Sequence, residues 1–197
     1  MIALLLIDDG RADYRDRCLE SASVLLPPLD LCVEVSDPDH ELGFAGAIQA
    51  GWDAVLESGA DYVFHLEADF TFNVHVPLQQ MIEILDREPK LAQVALKRQP
   101  WNASERIAGG IVEQHPDHYI ERHRRYGTFT EHSRFFTTNP SVYSADLCKR
   151  GWPQVPQSEG IFTHQLRDDG FTFAFWGGKF QAPTVTHIGQ HRAGKGY

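Results

Sequence analysis

The chain has 197 residues, 42 % of them hydrophobic and 23 % charged, with a formal net charge of −9. These values suit one soluble globular domain with a real core. With Arg122-His123-Arg124-Arg125 as its only short basic patch, the chain is poorly suited to binding nucleic acid by neutralising phosphates. A small phosphate-bearing ligand remains open, because a metal and a few local cations can supply the charge. Cys18, Cys32 and Cys148 are odd in number and widely spaced. They match neither a disulfide framework nor a zinc site, and read as thiols in a reducing compartment.

Ile2 to Ile7 is a continuous apolar run, as in a strand buried on both faces, and Asp8-Asp9-Gly10 ends it. It is too short for a signal core or a membrane span, so a cytoplasmic protein without a transmembrane segment is expected. Tyr14, Cys18, Ala22 and Leu25 recur at helical spacing, and Pro27-Pro28 stops that helix. Leu31 to Val35 is a second strand, ending in Ser36-Asp37-Pro38-Asp39. Ala45, Ile48, Trp52, Val55 and Leu56 mark a second helix, closed by Gly59. A third strand, Tyr62 to Leu66, runs into Glu67-Ala68-Asp69.

Strand, helix, strand, helix, strand predicts a parallel sheet with crossover helices. Three successive strands ending in acids would share one sheet edge, where open α/β sheets bind ligands. Glu67 and Asp69, one residue apart, would face the same side if the segment stays extended. Alone, the pair reads either as an oxygen-rich cation site or as a solvated loop start.

Further on, Pro77 opens a helix carrying Leu78, Met81, Ile82 and Leu85, and Leu91 to Leu96 is a fourth strand. From Lys97 to about Arg134 periodicity is lost, which predicts a long, irregular functional loop. Phe135 to Tyr143 reads as extended and Ala145 to Arg150 as a short helix. Ser158 reads as the N-cap of a helix from Glu159 to about Arg167. Phe171 to Trp176 and Thr184 to Ile188 are late strands.

His187, at the end of the last of these, is either structural or a metal ligand. A carboxylate pair, one imidazole and phosphate oxygens would suit Mn²⁺ or Mg²⁺. Glu159 is either an ordinary first-turn glutamate or a general base kept ionised by the helix dipole. Trp101, Trp152 and Trp176 belong to the core or stack on a sugar or base.

Several stretches together resemble the glycosyltransferases of the GT-A fold, most closely small family-2-like members, including proteins of actinobacteria and their phages. They are Gly43-Phe44-Ala45-Gly46-Ala47, Gly59 through Asp69, Thr138-Asn139-Pro140-Ser141, Gly151-Trp152-Pro153, Ser158-Glu159-Gly160 and His187-Ile188-Gly189. The resemblance implies a single α/β GT-A domain over 1–197, its mainly parallel sheet covered by helices on both faces. Residues 1–96 would bind the nucleotide, and 97–197 would serve the acceptor and carry a metal and phosphate tail.

By this resemblance, Glu67-Ala68-Asp69 stands for the D-x-D motif. Asp69 would bind Mn²⁺ (or Mg²⁺), with His187 completing the metal site and Glu67 serving the metal shell or the ribose. Asp8, Asp9, Arg11, Asp37 and Gly43 would contact the nucleoside of a UDP- or GDP-sugar. Gly189 and Lys195 would close over its diphosphate, and Glu159 would be the base of an inverting transfer to an acceptor hydroxyl. The 97–134 loop and the tail would order on donor binding and exclude water. A nucleotidyltransferase would instead show a Gly-rich basic loop where this chain has Asp8-Asp9-Gly10-Arg11-Ala12. A non-catalytic sugar-nucleotide binding module would keep Asp37 and Asp69 and leave Glu159 idle.

Overall fold

The structure is a computed structural model and describes residues 1–189. Its first half alternates as the apolar pattern predicts: β1 (Ile2–Asp8), α1 (Ala12–Leu25), β2 (Leu31–Ser36), α2 (Gly43–Ser58) and β3 (Tyr62–Glu67). Then come β4 (Phe70–Phe72), α3 (Leu78–Arg87), β5 (Leu91–Ala95), α4 (Ala103–Ile107) and α5 (Ile111–Gln114). The rest is β6 (Tyr119–Arg124), β7 (Gly127–His132), β8 (Ser141–Ser144), α6 (Ser158–Asp168), β9 (Thr172–Trp176) and β10 (Val185–His187).

Eight strands form one sheet in the order β2-β1-β3-β8-β5-β9-β7-β6. The pairs β1–β2, β1–β3 and β5–β9 are parallel; β8 and β7 run against their neighbours. The remaining two strands, β4 and β10, make a separate antiparallel pair.

Side-chain alternation divides the core between the two faces of the sheet. Leu6, Phe64 and Leu66 join Cys18, Phe70, Phe72, Met81 and Ile84, beneath α1 and α3. Ala3, Leu5, Ile7 and Val63 join Ile48, Trp52, Val55, Phe162 and Leu166, beneath α2 and α6. This second cluster is aromatic: Trp52 packs edge to face on Trp152 and Phe162, and Phe136 on Phe162, with Trp52–Trp152 centroids 5.2 Å apart. Burying side chains of this size contributes roughly 1.5–3 kcal/mol each. It anchors α6, and therefore Glu159, to the sheet.

Four expectations need correction. The 97–134 stretch is not one irregular loop, since it contains α4, α5 and the β6–β7 hairpin at the sheet edge. Its outer strand buries little beyond Tyr119 and carries charges, as edge strands do, so it lacks the apolar alternation that reveals a strand. The strand within 135–143 is short and shifted, starting at Ser141. Ser158 is the first helical residue and not the cap; Gln157 takes that place in a left-handed conformation (φ 59°). Finally, β3 stops at Glu67, and Ala68-Asp69 is a turn into β4, so strand alternation does not extend to Asp69.

Candidate functional site

The parallel strands β2, β1 and β3 end side by side, and a cavity of about 1280 Å³ opens over that edge. Asp9, Arg11, Gly43, Glu67, Asp69, Glu159, His187 and Gly189 all line it. The other predicted acids face elsewhere. Asp8 is buried and accepts from Ser36 Oγ at 3.1 Å and from the Gly10 N–H at 3.0 Å. Asp37 is also buried and accepts from the N–H groups of Leu42 (3.2 Å) and Gly43 (2.9 Å), where α2 begins. Lys195 lies outside the described residues.

The small β4–β10 sheet assembles the centre of the site. Phe70 pairs with His187, directly after Asp69 in the chain. The Ile188 N–H donates to the Asp69 carbonyl at 2.8 Å. The side-chain amide of Gln99 pairs with His187 as a strand would: it accepts from the His187 N–H (2.8 Å) and donates to the His187 carbonyl (2.7 Å). The imidazole lies between the rings of Phe70 and Trp101, with centroids 4.7 and 4.2 Å away. Its Nε2 reaches Asp69 Oδ2 at 3.1 Å. Gly189 is required by this approach, because a Cβ there would lie 2.0 Å from Asp69 Oδ2.

Arg11 meets the same oxygen. Its Nη2 is 2.9 Å from Asp69 Oδ2 and 2.6 Å from Asp9 Oδ2, and its Nε donates to Asp9 Oδ1 at 2.9 Å. Burial works to raise the Asp69 carboxyl, but the hydrogen bond and charge of His187, together with Arg11, hold it below its usual range. Glu67 goes the other way: burial and the nearby charge of Asp69 hold its carboxyl well above the ordinary value. Glu67 Oε1 and Asp69 Oδ1 are buried with no hydrogen-bond partner. Among the described residues, no group of three or more His, Cys, Asp or Glu side chains is arranged to hold a metal ion as it stands.

Glu159 enters from the start of α6. Its Oε1 accepts from the Thr138 N–H at 3.0 Å. That backbone is held in turn by buried Gln93, which accepts from the Thr137 N–H (3.0 Å) and donates to Ser141 Oγ (2.8 Å). Burial raises the Glu159 carboxyl above its usual value, outweighing the hydrogen bonds of Thr138 and the charge of Arg98. The ionised state expected from the helix dipole alone is therefore opposed by desolvation.

The sequence reading missed the Arg11–Asp69 contact, the Gln99 clamp and the Gln93 support. None of these has a motif, because each is created by tertiary pairing. Trp152 is core, Trp176 is half-buried, and Trp101 lines the cleft.

No family model matches the chain, and no curated protein matches it. Solved structures do. The mannosyltransferase PcManGT from Pyrobaculum calidifontis, in complex with GDP-Man and Mn²⁺, is 12 % identical with a TM-score of 0.59, over 95 % of this chain and 56 % of that one. Residues 1–349 of S. aureus TarS, in complex with UDP-GlcNAc, are 13 % identical with a TM-score of 0.61, over 99 % and 60 %. A197 from STIV is 8 % identical with a TM-score of 0.51, over 93 % and 82 %. At these identities the likeness shows the fold, a GT-A-like glycosyltransferase fold. The chain spans less than two thirds of the length of the first two. Among the described residues, no helix is long and apolar enough to cross a membrane.

Proposed function

We propose that this chain is a glycosyltransferase that moves a sugar from a nucleoside-diphosphate sugar to an acceptor hydroxyl, with inversion. The observation that carries the reading is one cleft at the carboxyl ends of parallel strands, lined by Asp69, Glu67, Arg11, His187 and Glu159. The fold likeness supports it, as do the UDP-GlcNAc and GDP-Man bound by TarS and PcManGT. On this reading the enzyme is a small family-2-like member. Residues 1–96 serve the nucleotide, and later elements serve the acceptor. The reading places it in the cytoplasm, in keeping with its three free cysteines.

The residues suit a hard divalent cation, Mn²⁺ or Mg²⁺, that joins together with the donor. Glu67 Oε1 and Asp69 Oδ1 are unpartnered oxygens; they and His187 would hold it, and the diphosphate would supply further oxygens. When bound, such an ion neutralises charge on a diphosphate leaving group.

The chain's own groups do the rest. The acceptor oxygen attacks the anomeric carbon, and the bond from that carbon to the diphosphate oxygen breaks. The hydroxyl proton passes to the Glu159 carboxylate, and the nucleoside diphosphate leaves with the bonding pair. Thr138 and Gln93 fix Glu159 at the cleft wall, while Gln99 fixes His187.

A thermal-shift series with UDP, GDP and their sugars, with and without Mn²⁺, tests donor binding. Stabilisation is expected only when nucleotide and metal are both present; no response to any nucleotide overturns the reading. Release of nucleoside diphosphate from a bound sugar nucleotide then separates an enzyme from a binding module.

A further inference from the structure

The Arg11 guanidinium lies on the acid that the metal would need. Its aim is set from two sides: Asp9 grips it through both carboxylate oxygens, and the Tyr14 ring lies under it at 4.4 Å. Between Asp9 and Arg11, Gly10 turns the chain at φ +86°, where a Cβ would strike Pro38 at 2.5 Å. The turn, the anchor and the ring together deliver Nη2 to Asp69 Oδ2. Both partners are largely out of water, with 20 % and 12 % of their side chains exposed.

We propose that Arg11 is a resident counter-ion that competes with the divalent cation for Asp69, so that tight metal binding is conditional on the diphosphate. The inference rests on the function proposed above. A carboxylate buried this far needs a positive partner, and Arg11 supplies it in the free protein. A divalent ion seated on Glu67 and Asp69 would lie beside the guanidinium, where two cations repel strongly because water screens them poorly. Arg11 can leave Asp69 without losing its charge partner, since Asp9 already holds it. A diphosphate arriving with the metal gives the guanidinium a second anion that suits its forked donors. Metal and diphosphate thereby favour each other, and by linkage each tightens the other by the same factor.

Calorimetric titration of Mn²⁺ tests this on the full chain, with UDP or GDP as the diphosphate probe. Wild type should bind Mn²⁺ weakly alone and about tenfold or more tightly with nucleotide, within the usual range of coupling between sites. Arg11→Met should bind Mn²⁺ alone about tenfold more tightly than wild type, and the gain from nucleotide should shrink towards onefold. Arg11→Lys keeps the cation and should keep the wild-type pattern. Circular dichroism shows whether each variant folds, and Arg11→Gln replaces Arg11→Met if the latter does not. Equal Mn²⁺ affinity in wild type and the neutral variant overturns the proposal, as does no Mn²⁺ binding to the neutral variant. If no nucleotide binds any variant, the proposed function falls, and the comparison with Mn²⁺ alone still decides the role of Arg11.

Discussion

Glu159 and Asp69 are both carboxylates in one cleft, yet their surroundings push them apart. Burial raises Glu159, whose main stabilising contact is the Thr138 N–H; His187 and Arg11 outweigh burial at Asp69 and lower it. A raised carboxyl suits a group that must accept a proton, and a lowered one suits a group that must stay charged. Glu159→Gln keeps the shape and the acceptor for Thr138 but cannot take a proton. Transfer should fall by roughly 10²–10⁴-fold, while the donor-induced thermal shift stays. Undiminished transfer would remove Glu159 as the base. Because its carboxyl is raised, the acid limb of kcat/KM should lie above that of an ordinary glutamate and vanish in the variant. Asp69→Ala should instead abolish metal-dependent donor binding. Tight metal-dependent binding by that variant would sink the assignment.

At the scale of elements, the site depends on β10 lying against β4 and on Gln99 extending that pairing by one side chain. Gln99→Ala removes both hydrogen bonds to the His187 backbone and leaves the core clusters untouched. Global stability should therefore fall by only about 1–3 kcal/mol. Donor affinity with Mn²⁺ should fall several-fold, because His187 loses its fixed distance to Asp69. Unchanged affinity in a titration would mean that β4 alone positions the histidine.

These pairings also explain what could be read beforehand. The strands β1, β2 and β3, their helices and the acid-ended edge follow from local patterns: apolar runs, helical spacing, Gly59 and paired prolines. The cleft-lining Glu67, Asp69 and Glu159 were visible because short motifs mark strand ends and helix starts. Arg11 on Asp69, Gln99 on His187 and Gln93 on Thr137 were not, since they join residues 58, 88 and 44 positions apart. The β6–β7 hairpin was hidden for a different reason: an exposed, charged edge strand has no apolar signature. Asp8 and Asp37 had the right address for the edge, but neighbouring N–H and hydroxyl groups turn both carboxylates into the backbone.

At the scale of the whole molecule, His65 and His132 are both enclosed, and burial dominates at each even though His65 Nε2 lies 3.9 Å from Glu67 Oε1. His65 is buried beneath the cleft, with Nδ1 against the Tyr143 hydroxyl at 3.2 Å. His132 is buried among Tyr119, Phe135, Phe173 and Phe175. Burial lowers each to about 3, with Arg134 adding to the effect at His132. In the unfolded chain both return to about 6.5. Between those values the unfolded state binds more protons, so stability is complete above pH 6.5 and is lost as pH falls towards 3. Two such groups give a slope of up to about 3 kcal/mol per pH unit in the middle of that window. Glu67 and Glu159, whose carboxyls are raised, act with the opposite sign: as pH falls from their raised folded values to their unfolded values they add stability and soften the loss, and below the unfolded values they have no further effect. His132→Phe separates these contributions, because the site is already an aromatic box and the ring loses only its contact with the Arg134 N–H (3.3 Å). At pH 7 the variant should lie within about 1.5 kcal/mol of wild type, as expected of a swap that roughly conserves volume. At pH 4.5 it should be the more stable of the two by urea unfolding. An identical loss in both proteins between pH 7 and pH 4.5 would show that protonation of His132 does not drive the acid sensitivity.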